Sequence, residues 1–138
     1  MSRYILDTHV LLWFLQKKNN LPKYISEDIG YYQDRYCISS LTLIEIDNLK
    51  KLGKIDFKDS HYEIIKQLQL FSIDILYGCL HDLEALSKLE MKIIDGKPHG
   101  DYMDRMIIAT AIANNCICIS ADSKFPFYEN DGLQLLKI

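Results

Sequence analysis

The sequence predicts an α/β protein built on a parallel sheet covered by helices on both faces. Short apolar runs alternate with longer amphipathic stretches along the chain, as a series of βαβ units requires. Acidic residues also stand directly behind two strand-like runs: Asp7 follows Tyr4-Ile5-Leu6, and Asp122 follows Cys116–Ser120. The carboxyl ends of parallel strands are where such sheets gather their ligands.

Taken in order, Tyr4–Leu6 reads as a strand and Val10–Gln16 as a helix closed by Lys17, Lys18, Asn19 and Asn20, with Thr8 available as its cap. Pro22 opens a second helix to about Tyr32, and Tyr36–Ser39 is the next strand. Thr42 and Glu45 fit a capping box for a helix that runs to Leu52 and stops at Gly53. On that helix Glu45 aligns with Leu41, Leu49 and Leu52 and faces inward, whereas Asp47 faces out. Ser60–Leu70 has helical periodicity, Phe71–Leu76 alternates as a strand, and a further helix spans about Cys79–Met91. His61 and His81 stand alone in helical segments, as surface or internally satisfied side chains do. Ile93–Gly100 is expected as a loop, and Leu133–Ile138 closes the chain as a strand.

The stretch His99–Asn115, HGDYMDRMIIATAIANN, puts carboxylates where oil is expected. At about 100° per residue, Asp101 and Asp104 head an apolar stripe continued by Ile108, Ala111 and Ile112. Burying a carboxylate without a partner costs several kcal/mol, so a bound cation is the economical reading. Helix-start chemistry is the alternative, because Asp is favoured as an N-cap and in the first turn. Asp122 likewise has an Asx turn or a pairing with Lys124 open to it.

The 138 residues, 1–138, suit one domain with one core, and 49% apolar with 25% charged residues is a globular rather than a disordered mix. A net charge of −3 argues against a broad basic nucleic-acid-binding face. Acids converging on divalent ions would still make the field positive where a phosphate docks. Asp7 and His9 interrupt the apolar N-terminal run, no small-residue cleavage site follows, and no window approaches a membrane span. A cytoplasmic protein without a membrane partner is therefore expected. Cys37, Cys79, Cys116 and Cys118 form no CxxC pair and read as reduced core thiols, not as a zinc or disulfide frame.

In a parallel sheet, Asp7, Glu45, Asp104 and Asp122 would share one topological level. An oxygen-only cluster suits Mg²⁺ or Mn²⁺, and such sites hydrolyse phosphodiesters. No Ser-His-Asp order, Walker loop or GxGxxG competes with that chemistry. Two other readings use the same crevice. One is a catalytically silent docking module. The other is a phosphatase with Asp7 as covalent nucleophile, although His9 stands where its general acid belongs.

YILDTHVLLWFL, SSLTLIEI followed by LGKI, HGDYMDRMIIATA and ISAD, in this order and spacing, resemble the PIN domains, specifically the VapC-type ribonuclease toxins of prokaryotic toxin–antitoxin pairs. The resemblance spans nearly the whole chain. It implies a three-layer α/β/α fold with a parallel sheet of about five strands and a Mg²⁺- or Mn²⁺-dependent endoribonuclease. Carried over by motif, the catalytic and metal-binding residues are Asp7, Glu45, Asp104 and Asp122. Asp101 is then an outer ligand or water holder. Arg105 and Ser120 or Thr8 assist with phosphate or position a carboxylate, roles that salt bridging and capping explain equally well. His99 belongs to the same motif as a loop-structure residue. The resemblance further implies an RNA substrate, a cognate antitoxin with a segment in the active groove, a homodimer, and promoter DNA bound through the antitoxin. Tyr102 stands where many relatives have Pro, and Ile44 where many have Trp; both touch the surroundings of the acids and leave the acids in place.

Overall fold

The structure, a computed structural model, describes residues 2–138. In chain order its elements are β1 (Tyr4–Leu6), α1 (Thr8–Leu15), α2 (Lys23–Tyr31), β2 (Tyr36–Ser39), α3 (Ser40–Lys51), α4 (His61–Leu70), β3 (Asp74–Leu76) and α5 (Leu80–Lys88). A hairpin of β4 (Ile93–Ile94) and β5 (Lys97–Pro98) follows. The chain then continues through α6 (Tyr102–Ala113), β6 (Ile117–Ser120), a 3₁₀ helix over Phe125–Asp131, and β7 (Gln134–Lys137).

Five strands form one parallel sheet in the order β3-β2-β1-β6-β7. Alternation along each strand divides the core in two. Leu6, Ile38 and Ile119 face one way and pack with Val10, Leu11, Ile25, Ile29, Ile64 and Leu68 of α1, α2 and α4. Ile5, Cys37 and Cys118 face the other way and pack with Ile107, Ile108 and Ala111 of α6 and with Phe125 and Tyr128. The strand residues Ile5, Leu6, Cys37, Ile38 and Cys118 are all 0% exposed, as expected for a parallel sheet between two helical layers. The three-layer α/β/α arrangement with five strands is thus observed.

The strand order also positions the site. From β1 the chain winds outward to β2 and β3, then returns to lay β6 and β7 on the other side of β1. Connections leaving β1 and β6 diverge, which opens a crevice at their carboxyl ends.

Several local expectations change. Helix α1 starts at Thr8 because Asp7, not Thr8, is its cap: the Asp7 side chain accepts a hydrogen bond from the Thr8 amide. Helix α3 starts at Ser40, capped by Ser39, whose hydroxyl accepts from the Leu41 amide at 3.2 Å. Thr42 therefore lies within the first turn and forms no capping box with Glu45; that motif occurs instead at Ser60 and Glu63 on α4. The core residue of α3 is Ile46, while Leu52 lies past the helix end and is 58% exposed. Asp47 faces outward and pairs with Lys51 at 2.8 Å. Phe71 and Ser72 form a turn after α4, with Ser72 at φ 51°, so only Asp74–Leu76 remains as strand. The expected loop at Ile93–Gly100 contains the β4–β5 hairpin, turned by Asp95 and Gly96 at φ 52° and 76°. An Asp-Gly pair favours this two-residue turn because both positions need positive φ. Cys37, Cys116 and Cys118 are buried free thiols, whereas Cys79 is exposed at the start of α5. Among the described residues no helix is long and apolar enough to cross a membrane.

Candidate metal centre

Asp7 is the first residue beyond β1, and its amide donates to the Ile119 carbonyl of β6 at 3.1 Å. One carboxylate oxygen accepts from the Thr8 amide at 2.6 Å and the other from the Ser120 hydroxyl at 2.7 Å. The same Ser120 oxygen accepts from the Asp122 amide at 3.0 Å. The last residue of β6 thereby ties the two strand-end acids together. Asp122 completes an Asx turn by accepting from the Lys124 amide at 2.8 Å.

Glu45 and α6 supply the other acids. Asp101 caps α6, accepting from the Asp104 amide at 3.1 Å, and Asp104 sits in the first turn. Glu45, half-buried on α3, has a carboxylate oxygen within 4.8 Å of one from Asp101 and one from Asp104. Among the described residues, Glu45, Asp101 and Asp104 form the tightest acidic group, with Asp7 and Asp122 outside it. Asp101, assigned an outer place by the resemblance, lies within the same 4.8 Å of Glu45 and Asp104.

Electrostatics join all five. Burial, then repulsion from Asp101, Asp7, Asp122 and Glu45, hold the Asp104 carboxyl at about 8, against an ordinary value of 3.8. Burial lifts Asp7 to about 6, opposed by the hydrogen bonds from Ser120 and Thr8 and by His9, and assisted by Glu45. Carboxyls held this high are the mark of negative charge that a low-dielectric crevice leaves uncompensated. The Thr8 hydroxyl is buried beside Asp7 without a hydrogen-bond partner. An all-oxygen donor set carrying excess negative charge fits a hard divalent cation such as Mg²⁺ or Mn²⁺.

The motif from His99 to Arg105 behaves differently from the sequence reading. His99 is buried at 5% exposure, with Nε2 at 3.2 Å from Asp104 and Nδ1 at 2.7 Å from the Tyr128 hydroxyl. Burial pushes the imidazole below its ordinary range, as does the charge of Lys124, against the pull of Asp101 and Asp122. Its place in HGDYMDR was the only signal in the sequence. Arg105 forms no ion pair with the acids and is linked to Asp104 through Tyr128 and His99. Its guanidinium donates to the Leu89 carbonyl at 3.1 Å, the Glu90 carbonyl at 3.3 Å and the Tyr128 hydroxyl at 3.3 Å. It thereby closes the turn that follows α5.

Two recesses border the acids. Lys97 and Lys124 line one of about 480 Å³ together with His99, Asp95 and Asp101, so cations and carboxylates alternate around it. Leu41, Leu83, Tyr102 and Met106 line an apolar groove of about 470 Å³. Tyr102 and Ile44 are 77% and 54% exposed beside the acids.

The structure is similar to VapBC2 from Rickettsia felis bound to a DNA fragment from its promoter, with TM-score 0.64, 17% identity, and 99% of this chain and 98% of that one covered. It is similar to DNA-bound VapBC from Salmonella typhimurium at TM-score 0.64 and 20% identity, over 99% and 98% of the two chains. The same coverage holds for VapBC-1 from nontypeable Haemophilus influenzae, at TM-score 0.60 and 21% identity. At these identities the likeness establishes the fold. No curated protein matches the chain significantly by sequence. The sequence matches the PIN domain over residues 4–132. That match runs from the first residue of β1 to the end of the 3₁₀ helix and takes in all five acids, and the chain belongs to the PIN domain family.

Proposed function

We propose that this protein is a Mg²⁺- or Mn²⁺-dependent endoribonuclease and the toxin of a toxin–antitoxin pair. One observation carries the nuclease reading: Glu45, Asp101 and Asp104 bring carboxylate oxygens within 4.8 Å of one another, and Asp7 and Asp122 at the strand ends lie close enough to raise Asp104 with them. Structural neighbours that are VapBC complexes, two of them holding DNA, support the toxin–antitoxin part and a promoter bound through the antitoxin.

In this reading Asp7, Glu45, Asp104 and Asp122 hold the cation, and Asp101, which belongs to the tight group with Glu45 and Asp104, joins them. Once bound, the ion supplies Lewis acidity, which makes water nucleophilic near neutral pH and offsets charge developing at phosphorus. The chain itself does the positioning. Ser120 fixes Asp7 and the turn bearing Asp122. Lys97 and Lys124 offer phosphate contacts in the recess beside the acids, interleaved there with Asp95 and Asp101. Exposed Tyr77, Leu80, Leu83 and Tyr102 give a second copy of the chain an apolar surface, consistent with a homodimer in the cytoplasm.

The test is incubation of pure protein with total RNA, with and without Mn²⁺, beside Asp104→Asn. Cleavage that requires Mn²⁺ and disappears in the variant is the expected result. Intact RNA under all conditions would favour a docking module. Undiminished cleavage in a chelator, or by the variant, would overturn the assignment of the acids.

A further inference from the structure

We infer that His99 is a positioning residue for Asp104, set in one tautomer by a buried chain of hydrogen bonds from Arg105 through Tyr128. The inference rests on the reading of Asp104 as a metal ligand and adds the device that orients it.

The donors fix the direction of the chain. A guanidinium only donates, so at 3.3 Å the Tyr128 oxygen accepts from Arg105. Tyr128 is 0% exposed, and its own hydrogen has the His99 Nδ1 as acceptor at 2.7 Å. Nδ1 must then be the unprotonated nitrogen, which leaves the hydrogen of the neutral ring on Nε2. That nitrogen faces an Asp104 carboxyl oxygen at 3.2 Å and donates to it. The opposite tautomer would leave the buried Tyr128 hydrogen without an acceptor.

Each member is anchored from a different segment. The His99 amide donates to the Lys92 carbonyl across the β4–β5 hairpin at 2.8 Å. Tyr128 is fixed in the 3₁₀ helix, and Arg105 is held by the Leu89 and Glu90 carbonyls beyond α5. Among the described residues His99 is the only hydrogen-bond donor to the Asp104 carboxylate, so it occupies one oxygen and leaves the other free for a cation. A ligating carboxylate held this way is pre-oriented, and outer partners of ligands typically tune metal affinity by roughly 10–100-fold.

Mn²⁺ titration followed by the electron paramagnetic resonance of the free ion tests this in the full chain. His99→Phe keeps a ring but has no donor and should weaken Mn²⁺ binding by roughly tenfold or more. His99→Gln, whose amide can donate to Asp104 and accept from Tyr128, should restore affinity to within a few-fold of wild type. Tyr128→Phe removes only the hydroxyl that selects the tautomer; it should weaken binding several-fold and serves if His99→Phe does not fold. Nitrogen NMR of the wild-type ring should report the Nε2–H tautomer. Wild-type affinity in His99→Phe, a Gln variant as weak as Phe, or an Nδ1–H tautomer would each overturn the inference. Asp104→Asn separates the two levels: if it keeps wild-type Mn²⁺ affinity, the metal-site reading fails. If it loses affinity while His99→Phe keeps it, only the positioning role fails.

Discussion

Replacing Asp104 by Asn should stabilise the metal-free protein, by an amount that grows with pH. Between 3.8, the ordinary carboxyl value, and about 8, where burial and four acids hold Asp104, the folded state keeps a proton that the unfolded chain gives up. The folded value is the raised one, so the stability Asp104 contributes is present at low pH and is lost as pH climbs through this window. Each pH unit removes about 1.4 kcal/mol, and the whole window about 5–6 kcal/mol. Roughly half belongs to Asp104 alone, because Asp7, Asp101, Asp122 and Glu45 share the same repulsion. Asn has the shape of the neutral acid and no proton to lose. The expected gain is therefore about 2–3 kcal/mol near pH 7.5 and close to nothing near pH 4.5, or about 6–10 °C in Tm at the higher pH. Thermal unfolding in a chelator, followed by circular dichroism at both pH values, measures it. Mn²⁺ at about a hundred times its Kd should then raise the wild-type stability by about 2.7 kcal/mol and leave the variant nearly unmoved. An equal Tm gap at both pH values, or an Asn variant less stable near pH 7.5, would refute the account of the crevice as a reservoir of uncompensated charge.

Other perturbations separate the parts of the site. Ser120→Ala takes the hydroxyl from both Asp7 and the Asp122 amide, and should lower stability by about 1–3 kcal/mol while slowing RNA cleavage. Wild-type unfolding and cleavage together would show that the bridge is idle. Lys97→Ala and Lys124→Ala should raise KM for RNA and each reduce the salt slope of binding by about one, with Mn²⁺ affinity unchanged; fluorescence anisotropy over a salt series reads both. Leu83→Asp, at a residue 54% exposed in the apolar groove, should yield a monomer in light scattering with stability within about 0.5 kcal/mol of wild type. A dimer that survives it uses another surface.

The strand-end placement of Asp7 and Asp122 was legible in the sequence because each follows a short apolar run, and a parallel sheet sends such residues to one edge. The start of α3 was not, because two hydroxyls compete to cap it. Ser39 wins over Thr42 since it leaves the sheet already extended, with φ −76° and ψ 141°, as a cap requires. The Asp95-Gly96 turn was readable from turn chemistry, but the strands beside it are two residues each and carry no period of their own. His99 and Tyr128 meet across 29 positions through a 3₁₀ helix with no helical pattern in sequence, so no local rule could pair them. Arg105 illustrates the same limit from the other side. Its position in a site motif says nothing about which of several carbonyls, Leu89 and Glu90 among them, the fold will bring within its reach.

The hydrogen bond from Ser120 to Asp7 spans 113 positions, and this has a bearing on timing during biosynthesis. A nascent polypeptide that has emerged only as far as α5 contains Asp7 and Glu45 but neither the seryl clamp nor the aspartates of the later helix and turn. For a nuclease of the proposed kind, self-harm is postponed until the ribosome has almost finished its work. A truncated product that stops short of β6 would lack Ser120 and Asp122 and could not close the proposed site.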